Sequence, residues 1–204
     1  MQILLILSAY LLGSLAWSVW IGRWVHGIDL REHGSGNAGA TNAFRVLGKQ
    51  VGTAVLILDS LKGFLAVQLV AFLPSEEQSV IWMLVLGFLS VLGHLFPVFV
   101  GFRGGKGIAT LLGVVIALHS GAALLAIAVF LALFLSTRIV SISSMSAALS
   151  LPFWLIYRFK EPSEILIIFS FAIALLVLVT HRKNIVRLLR GEENKVKLKR
   201  KAQD

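Results

Sequence analysis

The 204-residue sequence has no cysteine, only four prolines, and ten acidic residues against 19 lysines and arginines. Without cysteine, disulfides and thiolate metal sites are excluded, and the redox state of the compartment cannot be inferred. Charged residues make up only 14% of the chain, whereas 57% is hydrophobic and the mean hydropathy is +0.88. Soluble domains are usually about half apolar or less. The composition therefore indicates a membrane protein.

The net charge of +9 is concentrated near the C-terminus, where nine of the 19 basic residues lie between Arg182 and Lys201. A basic tail after the last apolar segment is typical of cytoplasmic orientation and of contact with anionic lipid. We therefore expect membrane lipid and no nucleic acid among the partners. The charged chain from Gly191 onward is expected to fray.

The apolar residues predict an all-α integral membrane protein with about seven transmembrane helices, some of them short. The first segment has no basic residue ahead of it and is interpreted as a retained span. The run 108–135 is too long for one span, and dividing it at His119–Gly121 places 16 basic residues on one side and two on the other. This asymmetry predicts an outside N-terminus and a cytoplasmic C-terminus. The predicted segments are 3–21, 51–73, 80–100, two within 108–135, 140–157 and 164–180. Residues 1–190 are predicted to form one polytopic domain, and residues 191–204 a basic cytoplasmic tail.

Two charged residues fall inside the second segment. Asp59 and Lys62 are three residues apart and therefore share one helical face. Charges within a span are costly and usually pair or face the protein interior. An ion pair is favoured here over a direct catalytic role.

The stretch 31–45 is the strongest candidate for a binding site. It combines three glycines with hydroxyl, amide and guanidinium groups. Glycine allows left-handed backbone and close approach of N–H groups to a ligand, and consecutive N–H groups can form an anion-binding concavity. Arg31 and Arg45 add fixed charge. The stretch predicts a cradle for phosphate or carboxylate, with a plain polar loop as the alternative. Its candidate residues are Gly34, Ser35, Gly36, Asn37, Gly39, Thr41, Asn42 and Arg45.

A second glycine-rich basic loop, 101–107, opens directly onto a predicted helix at Ile108. The N-terminus of a helix offers free N–H groups and a positive dipole end, so this is a second predicted anion site. It is not a Walker P-loop, because Gly107 follows Lys106 where Ser or Thr is required. The candidates here are Arg103, Gly104, Gly105 and Lys106.

Two smaller polar patches follow, at 137–144 with Ser141 and Ser143, and at 181–184 with His181 and Asn184. If the helix continues, His181 and Asn184 share one face. With seven spans, all four patches fall on the same membrane face. Glu32 is the only acid in them, so they suit binding of phosphate charge more than metal-assisted hydrolysis. No metal and no cofactor are expected.

The patches together resemble a known family. The sequences GSGNAGATN at 34–42, GHLFPVF at 93–99, FRGGKG at 102–107, Thr137-Arg138 with Ser141, and HRKN at 181–184 occur in the order found in the bacterial acyl-phosphate:glycerol-3-phosphate acyltransferases, the PlsY family. The motifs cover the chain from end to end. Ala38 stands where the family usually has proline, which removes no hydrogen-bond donor.

The resemblance implies a multi-pass enzyme of the bacterial inner membrane with its active site facing the cytoplasm. Such an enzyme transfers a fatty acyl group from acyl phosphate to the 1-hydroxyl of sn-glycerol 3-phosphate, giving lysophosphatidic acid and phosphate. The implied catalytic residues, which would hold phosphate groups, are Ser35, Arg45, Lys106, His181 and Asn184. Ser141 would lie near the glycerol phosphate, and Gly34, Gly36 and Gly39 would supply backbone approach.

The base that deprotonates the hydroxyl is left open between His181 and a phosphate oxygen of the acyl phosphate, and the scarcity of acids favours the substrate. Consistent with an acyl-phosphate donor, none of the five histidines has Asp five residues later, as the acyl-CoA-type acyltransferases do. The main alternative is a transporter of small organophosphates or anions. Beyond Asp59 and Lys62, the segments offer no polar route to the outer face.

Overall fold

The computed structural model describes residues 1–196, which form α-helices joined by short turns, 3₁₀ segments and one π-helical segment, without a β-strand. These residues form two compact units, Met1–Ala123 and the chain from Leu124 onward. The α-helices are α1 (Gln2–Gly13), α2 (Trp17–His26), α3 (Ala40–Val46), α4 (Lys49–Gln68), α5 (Val80–Leu95), α6 (Ile108–Leu118), α7 (Ser120–Thr137), α8 (Val140–Phe153), α9 (Glu164–Thr180) and α10 (Arg182–Leu189).

All seven predicted apolar segments are helical. Within residues 1–196, four helical segments are long and apolar enough to cross a membrane, and two bent pairs raise the number to six. The four are Lys49–Phe72, Val80–Val100, Ser120–Thr137 and Val140–Phe159, and the pairs are α1 with α2 and α9 with α10. The remaining segment is the short apolar helix α6. The predicted all-α membrane fold is confirmed, while the orientation of the termini stays a prediction.

The break predicted in the long run 108–135 lies where the sequence placed it. His119 has extended backbone (φ −156°) between α6 and α7. Its Nδ1 accepts a hydrogen bond from the amide of Ala122, 3.1 Å away, which satisfies one of the N–H groups that a helix leaves unpaired at its start. His119 therefore caps α7.

Glycines bring the helices of Met1–Ala123 close together. A Cβ on Gly63 would collide with the carbonyl oxygen of Thr110, so α4 and α6 touch through backbone. Gly13 of α1 is equally close to the Ser90 carbonyl of α5. Small residues at such contacts let apolar helices gain dispersion energy where lipid offers no hydrophobic driving force.

The sequence indicated one continuous span for the first apolar segment, but the structure divides this segment into α1 and α2. The chain bends by 46° between α1 and α2. The Ser14 hydroxyl donates to the carbonyl of Tyr10 (2.9 Å), and the Lys62 ammonium donates to the carbonyl of Leu15 (2.8 Å). The bend persists because a side chain from α4 satisfies a carbonyl that a straight helix would have paired internally.

From Leu124 onward, α8 packs against α9, and α10 turns away from α9 by 62° at His181. The expectation that the chain frays from Gly191 is wrong for residues 191–196. The Val196 amide donates to the Arg138 carbonyl (2.8 Å), and Glu193 binds three side chains. The rest of the predicted tail, 197–204, lies outside the described residues.

Candidate phosphate-binding site

The first glycine loop (residues 31–45) contains the left-handed backbone that its glycines predict. Gly34 has φ +63° and Gly36 has φ +71°, a region that other residues rarely adopt. Gly39 is different, because its φ of −155° is ordinary extended backbone and it stands at the N-terminal boundary of α3. The loop is therefore shaped by two tight turns at its start and by a helix at its end.

Asn42 folds this loop. Its Oδ1 accepts from the amide of Ser35 (2.9 Å), and its Nδ2 donates to the carbonyls of Leu30 (3.0 Å) and His33 (2.9 Å). The side chain is 1% exposed. The amide is thus engaged by the backbone on both sides, and a binding role for Asn42 stays a prediction.

Other polar side chains of the first glycine loop remain accessible. Ser35, Thr41 and Arg45 are exposed, and Asn37 is half-buried. A hydroxyl, an amide and a guanidinium can all donate to phosphate oxygens. These four residues keep the binding roles that the sequence suggested for them as predictions.

The second glycine loop (residues 101–107) folds back on the end of α5. The amide of Gly104 donates to the carbonyl of Leu95 (3.1 Å), and that of Gly105 donates to the carbonyl of His94 (3.2 Å). These bonds satisfy carbonyls that a helix leaves unpaired at its end. Both amides therefore brace the loop, and the binding roles of Gly104 and Gly105 stay predictions.

Lys106 lies one residue before the boundary of α6, which begins at Ile108 as predicted. The first helical hydrogen bond of this region runs from the Leu111 amide to the Gly107 carbonyl (2.7 Å). The N–H groups just before it have no acceptor within the helix, and the positive dipole end coincides with them. Lys106 and the exposed Arg103 flank a helix start that suits an anion.

The two glycine loops meet in space. A Cβ on Gly105 would collide with the ring of His94 and with the carbonyl oxygen of Ala38, which belongs to the first glycine loop. Residues of both loops also line one small pocket with the charged side chains beneath it. The lining includes Ala38, Gly104, Gly105, Asp59, Lys62 and His94.

The buried charges below this pocket form the ion pair that the sequence favoured. The Lys62 ammonium lies 2.8 Å from Asp59 Oδ1, and the side chains are 3% and 2% exposed. His94 Nδ1 lies 3.7 Å from the same oxygen. The structure places its ring beside the ion pair and under the second glycine loop.

The sequence suggested that Arg31 adds charge to the anion cradle, but the structure shows its guanidinium bound within the protein. Its guanidinium binds both carboxylate oxygens of Asp29, and Arg23 binds Asp29 as well. The hydrogen bond from Arg31 holds the pKa of Asp29 well below its usual range, against the opposing effect of burial. The same bond raises the pKa of Arg31.

In the unit from Leu124 onward, two predicted ligands meet at an acid that the sequence interpretation missed. Glu193 Oε1 accepts from the Ser141 hydroxyl (2.9 Å) and from Nδ2 of Asn184 (2.6 Å), while Oε2 accepts from Nε of Arg187 (2.7 Å). Burial opposes ionisation, but these hydrogen bonds outweigh it and lower the pKa of Glu193. The signal available in the sequence was an acidic pair, Glu192 and Glu193, within a basic stretch.

The remaining predicted residues of this unit are buried. The Ser143 hydroxyl donates to the carbonyl of Ile139, the residue before α8 (2.9 Å), and its role as a ligand stays a prediction. His181 is 3% exposed and its Nδ1 lies 2.8 Å from the Val177 carbonyl. Because a carbonyl only accepts, this nitrogen carries the proton.

Among residues 1–196, no three His, Asp or Glu side chains are placed to hold a metal ion.

These features define a class of protein: a helical membrane protein that presents paired glycine-rich, cation-bearing loops suited to phosphate. The comparisons with known proteins make the assignment specific. Residues 3–191 match the family model for glycerol-3-phosphate acyltransferase. A relative of that name from Desulfotalea psychrophila is 44% identical over 194 residues, covering 95% of this chain and 97% of the relative.

Two solved structures agree. They are the glycerol 3-phosphate form and the lysophosphatidic acid form of PlsY (YgiH), an integral membrane glycerol 3-phosphate acyltransferase. The chain is 41% identical to the first (TM-score 0.87, 96% of each chain) and 40% identical to the second (TM-score 0.85, 96% and 95%). This chain belongs to the glycerol-3-phosphate acyltransferase family. The predicted acyltransferase assignment is confirmed over the transporter alternative.

Proposed function

We propose that this protein transfers a fatty acyl group from acyl phosphate to the 1-hydroxyl of sn-glycerol 3-phosphate, releasing lysophosphatidic acid and phosphate. We further propose that it works in the bacterial inner membrane with its site facing the cytoplasm. The forms in which the PlsY neighbour was solved support the acceptor and the product class. The distribution of basic residues supports the orientation.

The observation that carries the proposal is the meeting of the two glycine loops within Met1–Ala123. Ser35 and Arg45 belong to one loop and Lys106 to the other, and the loops touch at Ala38 and Gly105. Two adjacent loops that carry cations, one of them at a helix start, suit an anionic phosphate group. We assign Ser35, Arg45 and Lys106 to the phosphate of the acyl donor.

We further propose that Ser141, His181 and Asn184, which lie in the unit from Leu124 onward, bind a phosphate group. Ser141 and Asn184 both donate to the Glu193 carboxylate, and the same two donors would bind a phosphate oxygen that takes the place of this carboxylate. His181, three residues before Asn184, is buried, and its Nδ1 donates to the Val177 carbonyl. Glu193 holds both donors in place while no phosphate is bound.

Acyl phosphate is a mixed anhydride, so the chemical demand on the protein is modest. The 1-hydroxyl oxygen bonds to the acyl carbon, the bond from that carbon to the phosphate oxygen breaks, and phosphate leaves with the electron pair. Positioning the two reactants can supply up to about 7–11 kcal/mol of the barrier. Arg45 and Lys106 stabilise the charge that grows on the leaving phosphate.

We propose that a phosphate oxygen of the donor takes the hydroxyl proton. Asp29 lies at the start of the first glycine loop, and Glu193 lies beside Ser141 and Asn184. Each of these acids is bound by an arginine and has a lowered pKa, which makes it a weak base. Loss of nearly all turnover in His181→Ala, with phosphate binding retained and a shifted pH profile, would instead assign the base to His181.

The test is acyl transfer by the purified protein given palmitoyl phosphate, palmitoyl-CoA or palmitoyl acyl carrier protein, each with and without glycerol 3-phosphate. We expect lysophosphatidic acid, identified by mass spectrometry, and phosphate release only with palmitoyl phosphate and glycerol 3-phosphate together. Lys106→Ala should abolish it, whereas Lys49→Ala, which removes an exposed lysine at the start of α4, should not. Product from either of the other donors would overturn the proposed donor.

A further inference from the structure

One guanidinium connects the two glycine loops. Arg31 Nε lies 3.0 Å from Asp29 Oδ1 and its Nη2 lies 2.8 Å from Asp29 Oδ2. Its Nη1 donates to the Val100 carbonyl (2.6 Å) and also lies 3.3 Å from the Arg103 carbonyl. The side chain is 11% exposed. Arg31 thus reaches from the start of the first glycine loop to both sides of the turn that opens the second.

The turn that Arg31 contacts has unfavourable backbone. Gly101 and Phe102 both have positive φ, +73° and +58°, and Phe102 is not a glycine. A side chain in this region is strained unless its surroundings hold it. The Phe102 ring is 57% exposed, so packing against the described chain does little to hold the turn. The Phe102 amide donates to the Pro97 carbonyl (2.9 Å) on one side, and Arg31 holds the flanking carbonyls on the other.

Asp29 fixes the other end of the guanidinium. It accepts from the Arg31 amide as well as from the side chain, and it begins the 3₁₀ turn Leu30–Glu32 that leads into the first glycine loop. The planar fork of arginine can bind a carboxylate with one edge and two carbonyls with another, whereas the point charge of lysine cannot. The contact therefore sets a distance and an angle between the loops, in addition to attracting charge.

We propose that Arg31 is a positioning residue for acyl transfer. By binding Asp29 and the Val100 and Arg103 carbonyls, it fixes the second glycine loop, and with it Lys106, against the first glycine loop. It contacts neither substrate. The inference rests on the proposed function for its catalytic consequence, and the placement of the loop can be measured without activity.

The first experiment is steady-state kinetics with palmitoyl phosphate and glycerol 3-phosphate. A small displacement of groups around a reaction can cost about 100-fold in rate. We expect a kcat loss of that order in Arg31→Gln and a similar loss in Arg31→Lys. The matched control is Arg23→Gln, which removes a partner of the same Asp29 that does not reach the second glycine loop, and it should stay within twofold. Phe102→Gly should restore part of the activity of Arg31→Gln because it relieves the strained turn.

The second experiment reads the loop itself. Because the chain has no native cysteine, Arg103→Cys supplies one thiol whose alkylation rate reports the exposure of the second glycine loop. The rate should rise several-fold on adding Arg31→Gln and should not change on adding Arg23→Gln. A rise in alkylation on adding Arg31→Gln supports the placement of the loop whether or not the wild type transfers acyl groups, whereas absence of acyl transfer in the wild type would refute the proposed function alone.

Three results would overturn the proposal. They are wild-type kcat in Arg31→Lys, an alkylation rate that Arg31→Gln leaves unchanged, and an activity loss that follows the melting temperature and returns at lower assay temperature. If Arg31→Gln fails to fold, Arg31→Lys and Asp29→Asn carry the same test, because both break the fork while keeping a side chain of similar size.

Discussion

The Asp59–Lys62 pair and the Asp29–Arg31 pair each join a carboxylate to a cation at 2.8 Å, but the first lies among helices and the second between loops. Side-chain exposure is 2–3% in the first pair and 11–13% in the second. The inner cation also satisfies the Leu15 carbonyl at the bend between α1 and α2, whereas the outer one reaches the second glycine loop. The same interaction thus stabilises a helix break in one place and positions a candidate site in the other.

The largest effect is expected from breaking the inner pair. Lys62→Met leaves Asp59 buried without its cation and removes the donor from the Leu15 carbonyl, so the free energy of unfolding should fall by about 3–5 kcal/mol. Thermal unfolding of the purified protein in detergent measures the loss. The control Lys49→Met, an exposed lysine on the same helix, should stay within about 0.5 kcal/mol.

The double variant Lys62→Met with Asp59→Leu decides whether the uncompensated charge is the cause. It should unfold at a higher temperature than Lys62→Met alone, because no charge is then left buried. Losses that simply add would contradict a coupled pair.

A smaller effect is expected from acid, which acts on the outer pair and on Glu193. Both carboxyls have folded pKa values below their ordinary values of 3.8 and 4.5. Each therefore stabilises the folded state above its ordinary pKa, and this contribution is lost as the pH falls through the lowered folded value. The melting temperature should decrease from about pH 4.5 downward, with a shallower slope in Glu193→Gln than in the wild type.

The exposed acid Glu76 provides the control for this series, since Glu76→Gln should leave the slope unchanged. An identical slope in the wild type and in Glu193→Gln would contradict a stabilising role for the Glu193 carboxylate.

The smallest effect is expected at the rim of the outer pair. Arg23 is 49% exposed and shares Asp29 with Arg31, so Arg23→Ala should cost about 0.2–1 kcal/mol. Denaturation of Arg23→Ala beside Arg31→Gln measures the contrast. Equal losses would show that the outer pair stabilises through charge alone and that the contact with the second glycine loop adds nothing.

The sequence predicted what depends on local spacing. Apolar run lengths located the helical segments, the spacing of Asp59 and Lys62 predicted their pairing, and charge asymmetry placed the break at His119. Gly34 and Gly36 adopt the left-handed turns expected of the first glycine loop. Each of these features is set by residues close to one another in the chain or by composition.

The features that the sequence did not reveal depend on distant partners. At the bend after Gly13, the Leu15 carbonyl accepts from Lys62, which lies 47 residues away in the chain. The guanidinium of Arg31 binds Asp29 and also donates to the distant Val100 carbonyl. Glu193 appeared to be part of a solvated tail because its partner Ser141 is 52 residues away. The hydrogen bonds of the Asn42 amide to the loop backbone could not be predicted, because nothing in its own stretch indicates them.

Ligand protection of introduced cysteines tests most directly whether the two glycine loops form one anion site. Glu32→Cys and Phe102→Cys each place one exposed thiol on one loop, at a position not assigned to substrate, in a chain that has no other cysteine. We expect palmitoyl phosphate to slow alkylation at both positions with the same half-protecting concentration. Protection of one cysteine at concentrations that leave the other fully reactive would contradict a shared site.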